Sequence, residues 1–245
     1  MTIFNSIVFF FIALVYSSAG FGGGSLYLAM LSQYSGSESF VRFTGLSCNT
    51  VVTASGSIQF QLKKWIEWKS LSLLLLCSVP LCIWSSSWHL TSKTYFIALG
   101  FCLLLAGILM LFQKKTSVNE KAVIKNAWYL YPASAVIGLL SGLTGIGGGV
   151  YLSPLLHLSL WGSAKHISAA SCVFILVNSI VGLVTQYYVH DGRLQYEALW
   201  LLVAVFAGGL VGSKLSSSIL SQKTVRLITV LLIIFASLRI LYKHL

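Results

Sequence analysis

Acidic residues are nearly missing from this 245-residue chain: Glu38, Glu67, Glu120, Asp191 and Glu197 are the whole set. Paired-carboxylate acid–base catalysis therefore has little material to work with. Charged residues of both signs make up only 9%, against about a quarter in soluble domains. With 57% hydrophobic residues and a mean hydropathy of +0.87, the composition excludes a water-soluble globule and describes a bilayer protein. The five cysteines (Cys48, Cys77, Cys82, Cys102, Cys172) form no CxxC pair, so neither a disulfide framework nor metal-ligand spacing is visible. The histidines are scattered, and no metal ion or other cofactor is called for. No GxxxxGK[ST] phrase occurs, so an ATP-driven pump with its own P-loop is excluded. The net charge of +11 comes from Lys and Arg in short loops between apolar runs. That distribution is a topology signal and not a basic face for nucleic acid.

What the chain does have is long apolar runs. A transmembrane helix needs roughly 20 apolar residues. Runs of about that length span Ile3–Ala19, Phe40–Leu62, Ser70–Trp88, Thr94–Phe112, Trp128–Thr144, Ile167–Val189, Ala198–Lys214 and Val225–Leu241. The first has no basic n-region and is read as a retained helix, not a cleaved signal. Apolar pieces at 25–33 and 150–160 are too short to cross, and each follows a triple glycine. They read as broken or re-entrant half-helices. The two phrases, GFGGGSLYLAML at 20–31 and GIGGGVYLSPLL at 145–156, mark an internal duplication. Gly36-Ser37 matches Gly162-Ser163, Gly56 matches Gly182, and small residues recur at Ser78, Cys82, Ser86 and at Gly208, Gly212, Ser216. Small residues at that spacing, Gly208 and Gly212 included, have a structural role in letting helices approach closely.

The expectation is an all-α integral membrane protein of about eight transmembrane helices. They form two duplicated four-helix halves, each with a glycine-rich half-helix. Residues 1–113 form the first repeat, 114–126 a cytoplasmic linker and 127–245 the second repeat. An even number of crossings per half predicts the same orientation for both copies. Lys63, Lys64, Lys69, the linker lysines, Arg193 and Lys243 then share one side, while Arg42, Lys93, Lys165, Lys214, Lys223 and Arg226 face the other. The richer side predicts cytoplasmic termini, in a bacterial inner membrane.

Each triple glycine exposes backbone N–H groups just before a short helix. Those donors and the positive end of the helix dipole suit an anion. Candidate substrate-binding residues are therefore Gly22, Gly23, Gly24, Gly147, Gly148 and Gly149; the alternative is that these glycines only permit tight helix crossing. The second long run of each half is unusually polar, and its polar faces must meet each other or a cavity. Asn49 and Thr53 in the first copy, and Ser171 and Asn178 in the second, complete the candidate shell; interhelical hydrogen bonding is their alternative role. Cys48 and Cys172, each in a Ser-Cys pair, are candidate contacts to a soft or sulfur-containing ligand, or simply small buried hydrophobes. Arg42 and Lys165 are read as span-end anchors that could also draw anions to an outer vestibule. Pro154 stiffens the second half-helix where the first copy has Ala29.

The phrase G-x-GGG-x-x-x-x-P-x-L, here Gly145, Gly147–Gly149, Pro154 and Leu156, resembles the sulfite exporter TauE/SafE family, also called the toluene-sulfonate uptake permease family. Ile66-Glu67-Trp68 and Leu194-Gln195-Tyr196, entering each third crossing, agree with it. The likeness covers essentially the whole chain. Ala29 and Gln195 depart from the fuller pattern. The resemblance implies a transporter of small anions, typically sulfite, sulfonates or other organosulfur compounds, with the lipid bilayer as its setting and a homo-oligomer left open. A passive anion channel and a non-transporting accessory subunit are the alternatives. They differ in what a bulky residue at Gly148 does: lost flux in a folded protein for a transporter, failed assembly for a packing role.

Overall fold

The computed structural model describes residues 2–18, 20–34, 37–111, 128–190, 196–215 and 222–244. Among them every regular element is an α-helix: α1 (Thr2–Ser18), α2 (Gly24–Tyr34), α3 (Glu38–Leu62), α4 (Trp68–Ser86), α5 (Ser92–Leu111), α6 (Leu130–Thr144), α7 (Gly149–Leu158), α8 (Ala164–His190), α9 (Tyr196–Leu215) and α10 (Gln222–His244). Helices are what an apolar solvent demands, because each satisfies its own backbone. α4, α5 and α8 are long and apolar enough to cross a membrane, and shorter apolar stretches occupy α1, α6, α7 and α9. Each apolar run of the sequence is a helix in the structure, and α2 and α7 are the two short pieces after the glycines. The linker at 114–126 and Arg193 lie outside the described residues.

Local signals set several ends. The hydroxyl of Ser37 accepts from the Phe40 N–H to start α3. Gly145, left-handed at φ +78°, closes α6 with its N–H on the Ser141 carbonyl.

At the centre α3 and α8 cross in antiparallel sense. Gly56 on α3 meets Cys172 on α8, and Gly182 on α8 meets Leu46 on α3. Around this pair, α4 lies parallel on α6 and α1 parallel on α9. In the first, Gly138 and Gly142 face the carbonyl oxygens of Ser78 and Cys82; in the second, Gly208 and Gly212 face those of Phe10 and Leu14. A Cβ at any of the four would collide with backbone. α5 packs antiparallel on α10, with Gly100 against Leu241 and Gly107 against Ile234. Exchanging α1–α5 with α6–α10 maps these pairings onto themselves. α4 on α6 becomes α9 on α1, while α2 against α3 and α10 becomes α7 against α8 and α5. Because α3 and α8 are antiparallel, the exchange turns the molecule end over end.

The two ends can be named by residues. At the Arg42 end, Arg42 near the start of α3 bonds the Ser86 and Gly142 carbonyls at the ends of α4 and α6. His190, ending α8, reaches the same Ser86 carbonyl, and His244, ending α10, stacks on Phe96 near the start of α5. At the Trp65 end, Lys63 after α3 and Lys165 in the first turn of α8 both stand over the Trp65 ring, at 5.2 and 5.0 Å. Ser17 of α1 and Ser213 of α9 line a small cavity there with Gln59, Lys63 and Trp65.

Two expectations are corrected. The halves α1–α5 and α6–α10 run in inverted, not like, orientation, because α1 runs toward the Trp65 end and α2 returns to the Arg42 end. The glycine segment and short helix thus act as a fifth traverse in each half. Consequently Lys165 shares an end with Lys63 instead of opposing it. The helix ends that flank the linker, Leu111 and Leu130, lie opposite the outer ends of α1 and α10.

Candidate functional site

The site is built from backbone first. Gly23 has φ +84°, and Gly147 and Gly148 have φ +86° and +78°. Only glycine takes these values without strain, and they let the chain reverse into the short helices. All six glycines of the two triplets are buried. A helix leaves its first N–H groups without intrahelical partners. Here the amides of Gly22, Gly23, Gly24 and Ser25, and those of Gly147, Gly148, Gly149 and Val150, donate no hydrogen bond among those described. α2 and α7 start in the interior and run to opposite ends, so their positive dipole ends converge.

Asn49 stands between the two turns. It is fully buried, and its Nδ2 donates to the Ile146 carbonyl of the second turn at 3.0 Å. A Cβ placed on Gly22 would stand 2.7 Å from its Oδ1, and one on Gly147 would stand 3.1 Å from its Nδ2. Gly24 presses on the same carboxamide. Thr53, one turn on, bonds the Asn49 carbonyl and turns its methyl to Gly22. Ser171 is buried on α8 with its carbonyl 3.2 Å from a Cβ on Gly149.

The sequence reading missed four neighbours. Ile175 touches Gly22, Gly147 and Gly149; Ser179 meets Gly147; Tyr27 meets Gly23; and Ser141 meets Gly148. Around the turns, Asn49 Oδ1, Ser171 Oγ, Ser179 Oγ, Tyr27 OH and Ser141 Oγ are all buried without a hydrogen-bond partner. Each such orphan costs about 1–3 kcal/mol in a dry interior. The group has oxygen atoms and amide donors to offer a small polar ligand.

Other candidates are placed elsewhere. Asn178 accepts from Ser78 and donates to the Phe174 carbonyl, so its carboxamide joins α8 to α4. Cys172 lies in the α3–α8 crossing, near the Thr53 carbonyl (3.5 Å) and the Ser57 hydroxyl (3.6 Å). Cys48 is buried on α3, and Pro154 is buried within α7. A Cβ on Gly148 would stand 2.9 Å from the Phe174 ring and 3.0 Å from Ile137, at φ +78°, so a leucine there strains the fold as well as the site. The internal symmetry also differs from the sequence pairing. The offset that relates Gly56 to Gly182 relates Asn49 to Ile175 and Thr53 to Ser179, not Asn49 to Asn178. The contacts agree: Gly22 meets Asn49, Thr53 and Ile175, while Gly147 meets Ile175, Ser179 and Asn49.

Arg42 is not a vestibule residue. It is fully buried, paired with Glu38 Oε1 at 2.7 Å, and bonded to the Gly142 carbonyl at 2.8 Å. Its guanidinium lies 5.5 Å from the Tyr95 ring centroid, and Tyr95 in turn bonds the Thr144 carbonyl. The cation thus ties three helices together beside the second turn.

The family model described as Sulfite exporter TauE/SafE matches residues 6–240. The chain belongs to that family. It is 30% identical over 243 residues to the Probable membrane transporter protein y4hK of Sinorhizobium fredii, covering 97% of each chain. Shorter matches join it to two Arabidopsis thaliana proteins. Sulfite exporter TauE/SafE family protein 2 is 33% identical over 94 residues, 38% of this chain and 20% of that one. Family protein 1 is 38% identical over 90 residues, 35% and 20% of the two chains. No solved structure matches. Family and apolar helices together make this an integral membrane protein of the TauE/SafE transporter type.

Proposed function

We propose that this chain is a secondary transporter of a small anion, such as sulfite, a sulfonate or another organosulfur compound, across a bacterial inner membrane. One observation carries the reading: Asn49 lies against both glycine turns, where eight undonated amides and two opposed half-helix N-termini converge. Convergent dipole ends and amide donors stabilise an anion without a buried cation. Half-helices meeting between inverted repeats are the arrangement from which alternating access arises, by rocking one repeat against the other.

The helix pairings support a duplicated layout in which α1, α3, α4, α5 and their counterparts cross the bilayer as full helices. In each half the glycine segment with its short helix completes a fifth traverse. Lys63, Lys64, Lys69 and Lys165 belong to the Trp65 end, as do the first turn of α10, with Lys223 and Arg226, and the two helix ends that flank the lysine-rich linker. By the positive-inside rule that end faces the cytoplasm and both termini face outward, reversing the expectation from loop counting alone.

The test is uptake of radiolabelled sulfite and methanesulfonate into proteoliposomes under imposed gradients. Wild-type protein should show saturable flux, and Asn49→Ala should cut it at least tenfold while keeping a monodisperse, helical protein. Flux of neither anion under any gradient would overturn the substrate class. Non-saturable flux would point to a channel.

A further inference from the structure

We infer that Ile175 is a specificity-determining residue, and that the anion this site accepts carries an apolar substituent next to its charged head. The inference rests on the anion-site reading above.

Each half of the site has a buried glycine turn before a short helix, left-handed at Gly23 in one and at Gly147 and Gly148 in the other, and the side chains against the two turns differ. Gly24 presses on Asn49, and Gly149 presses on Ile175. A Cβ on Gly22 would lie 2.7 Å from Asn49 Oδ1 and 3.2 Å from Ile175 Cγ2. On Gly147 it would lie 2.9 Å from Ile175 Cγ2 and 3.1 Å from Asn49 Nδ2. Each of these side chains therefore reaches both turns, from the middle of the antiparallel α3–α8 crossing. Asn49 brings a carboxamide whose Nδ2 donates to the Ile146 carbonyl with one of its two N–H groups, and Ile175 brings only carbon. A one-turn step along each helix keeps the halves polar, with Thr53 and Ser179. Other positions differ too, Ser171 standing where the first half has Gly45, but of the unlike pairs it is Asn49 and Ile175 that reach both turns.

That unlike pair selects among anions. A symmetric inorganic oxyanion presents oxygen on every side, and the oxygen turned to Ile175 would lose water without gaining a donor. An anion with one apolar substituent avoids this: its oxygens accept from the backbone amides and from the second Nδ2 N–H of Asn49, and its carbon rests on Ile175. Each methylene that gains apolar contact with Ile175 should tighten binding by about fourfold.

The experiment measures binding of sulfite, methanesulfonate, ethanesulfonate and propanesulfonate to the full-length protein in lipid nanodiscs. It compares wild type, Ile175→Asn and Ile175→Val. Wild type should bind the alkyl sulfonates more tightly than sulfite, by several-fold per added carbon over the first two steps. Ile175→Asn should flatten that series and raise affinity for sulfite relative to propanesulfonate by at least tenfold. Ile175→Val, the conservative variant, should keep the rising series and favour a longer chain than wild type does. A flat wild-type series, or a slope unchanged in Ile175→Asn, would overturn the role of Ile175 while leaving the anion site standing. If the asparagine variant does not fold, the wild-type and valine series decide the matter alone. Binding of none of these anions by a folded wild type would remove the anion-site reading and this inference with it.

Discussion

Asn49 and Arg42 show how differently two buried polar residues are used. Asn49 makes one hydrogen bond and leaves its Oδ1 unpartnered at the meeting point of two backbone turns. Arg42 is spent on structure, with Glu38 and two helix-end carbonyls. Arg42→Ala should therefore lower stability by about 3 kcal/mol, the scale of breaking a buried ion pair, because Glu38 and both carbonyls lose their donor. Thermal unfolding in detergent checks this, and Arg42→Lys should recover only part of the loss because it lacks the planar fork. Gly24→Ala tests the other kind of residue. Its methyl falls on the Asn49 carboxamide, so uptake should drop at least tenfold with a smaller change in melting temperature than Arg42→Ala produces. Asn49 stands out in the sequence because an amide within an apolar run is costly and invites explanation. Asn178 drew the same attention for the same reason, yet it serves a helix–helix contact. Chemical type alone does not tell which way a side chain faces a neighbour not yet placed.

At the scale of helices, close packing rests on four glycines set against carbonyl oxygens. Gly208 and Gly212 stood out through their spacing, whereas Gly138 and Gly142 do the corresponding work on α6 and drew no notice. Their partners, Ser78 and Cys82 on α4, were noticed instead as a small-residue stripe, since spacing reports a face and not its occupant. Gly142→Val and Gly208→Val should each prevent close approach of their helix pairs, costing about 3 kcal/mol or more, in the range of severe overpacking. Size-exclusion profiles should show aggregated or unstable protein for both. Val at Gly182, where a Cβ meets only Leu46 side-chain atoms at 3.2 and 3.3 Å, should be better tolerated.

Over the whole molecule, the short helices decide the topology. Treating α2 and α7 as stubs leaves an even count of crossings and parallel repeats; treating each as the return arm of a hairpin makes the count odd and the repeats inverted. The orientation follows and is testable. Alkaline phosphatase fused after Leu245 should be active in a bacterial host, and a fluorescent protein inserted near Val118 in the linker should fluoresce. The reverse pattern would place the Trp65 end outside. Inversion also accounts for the meeting of the α2 and α7 N-termini in the interior, since the two short helices run from there to opposite ends.

The sequence by itself determined the solvent, the helices and the glycine turns. These are local properties: hydropathy over some twenty residues and the conformational freedom of glycine. The inverted relation of the halves, the alignment of Asn49 with Ile175 and the burial of Arg42 were decided only by tertiary structure. Each depends on which helix lies beside which, and on the depth at which they cross. A period of residues along one helix carries no record of that depth, because any register that buries the same face costs nearly the same until backbone meets backbone.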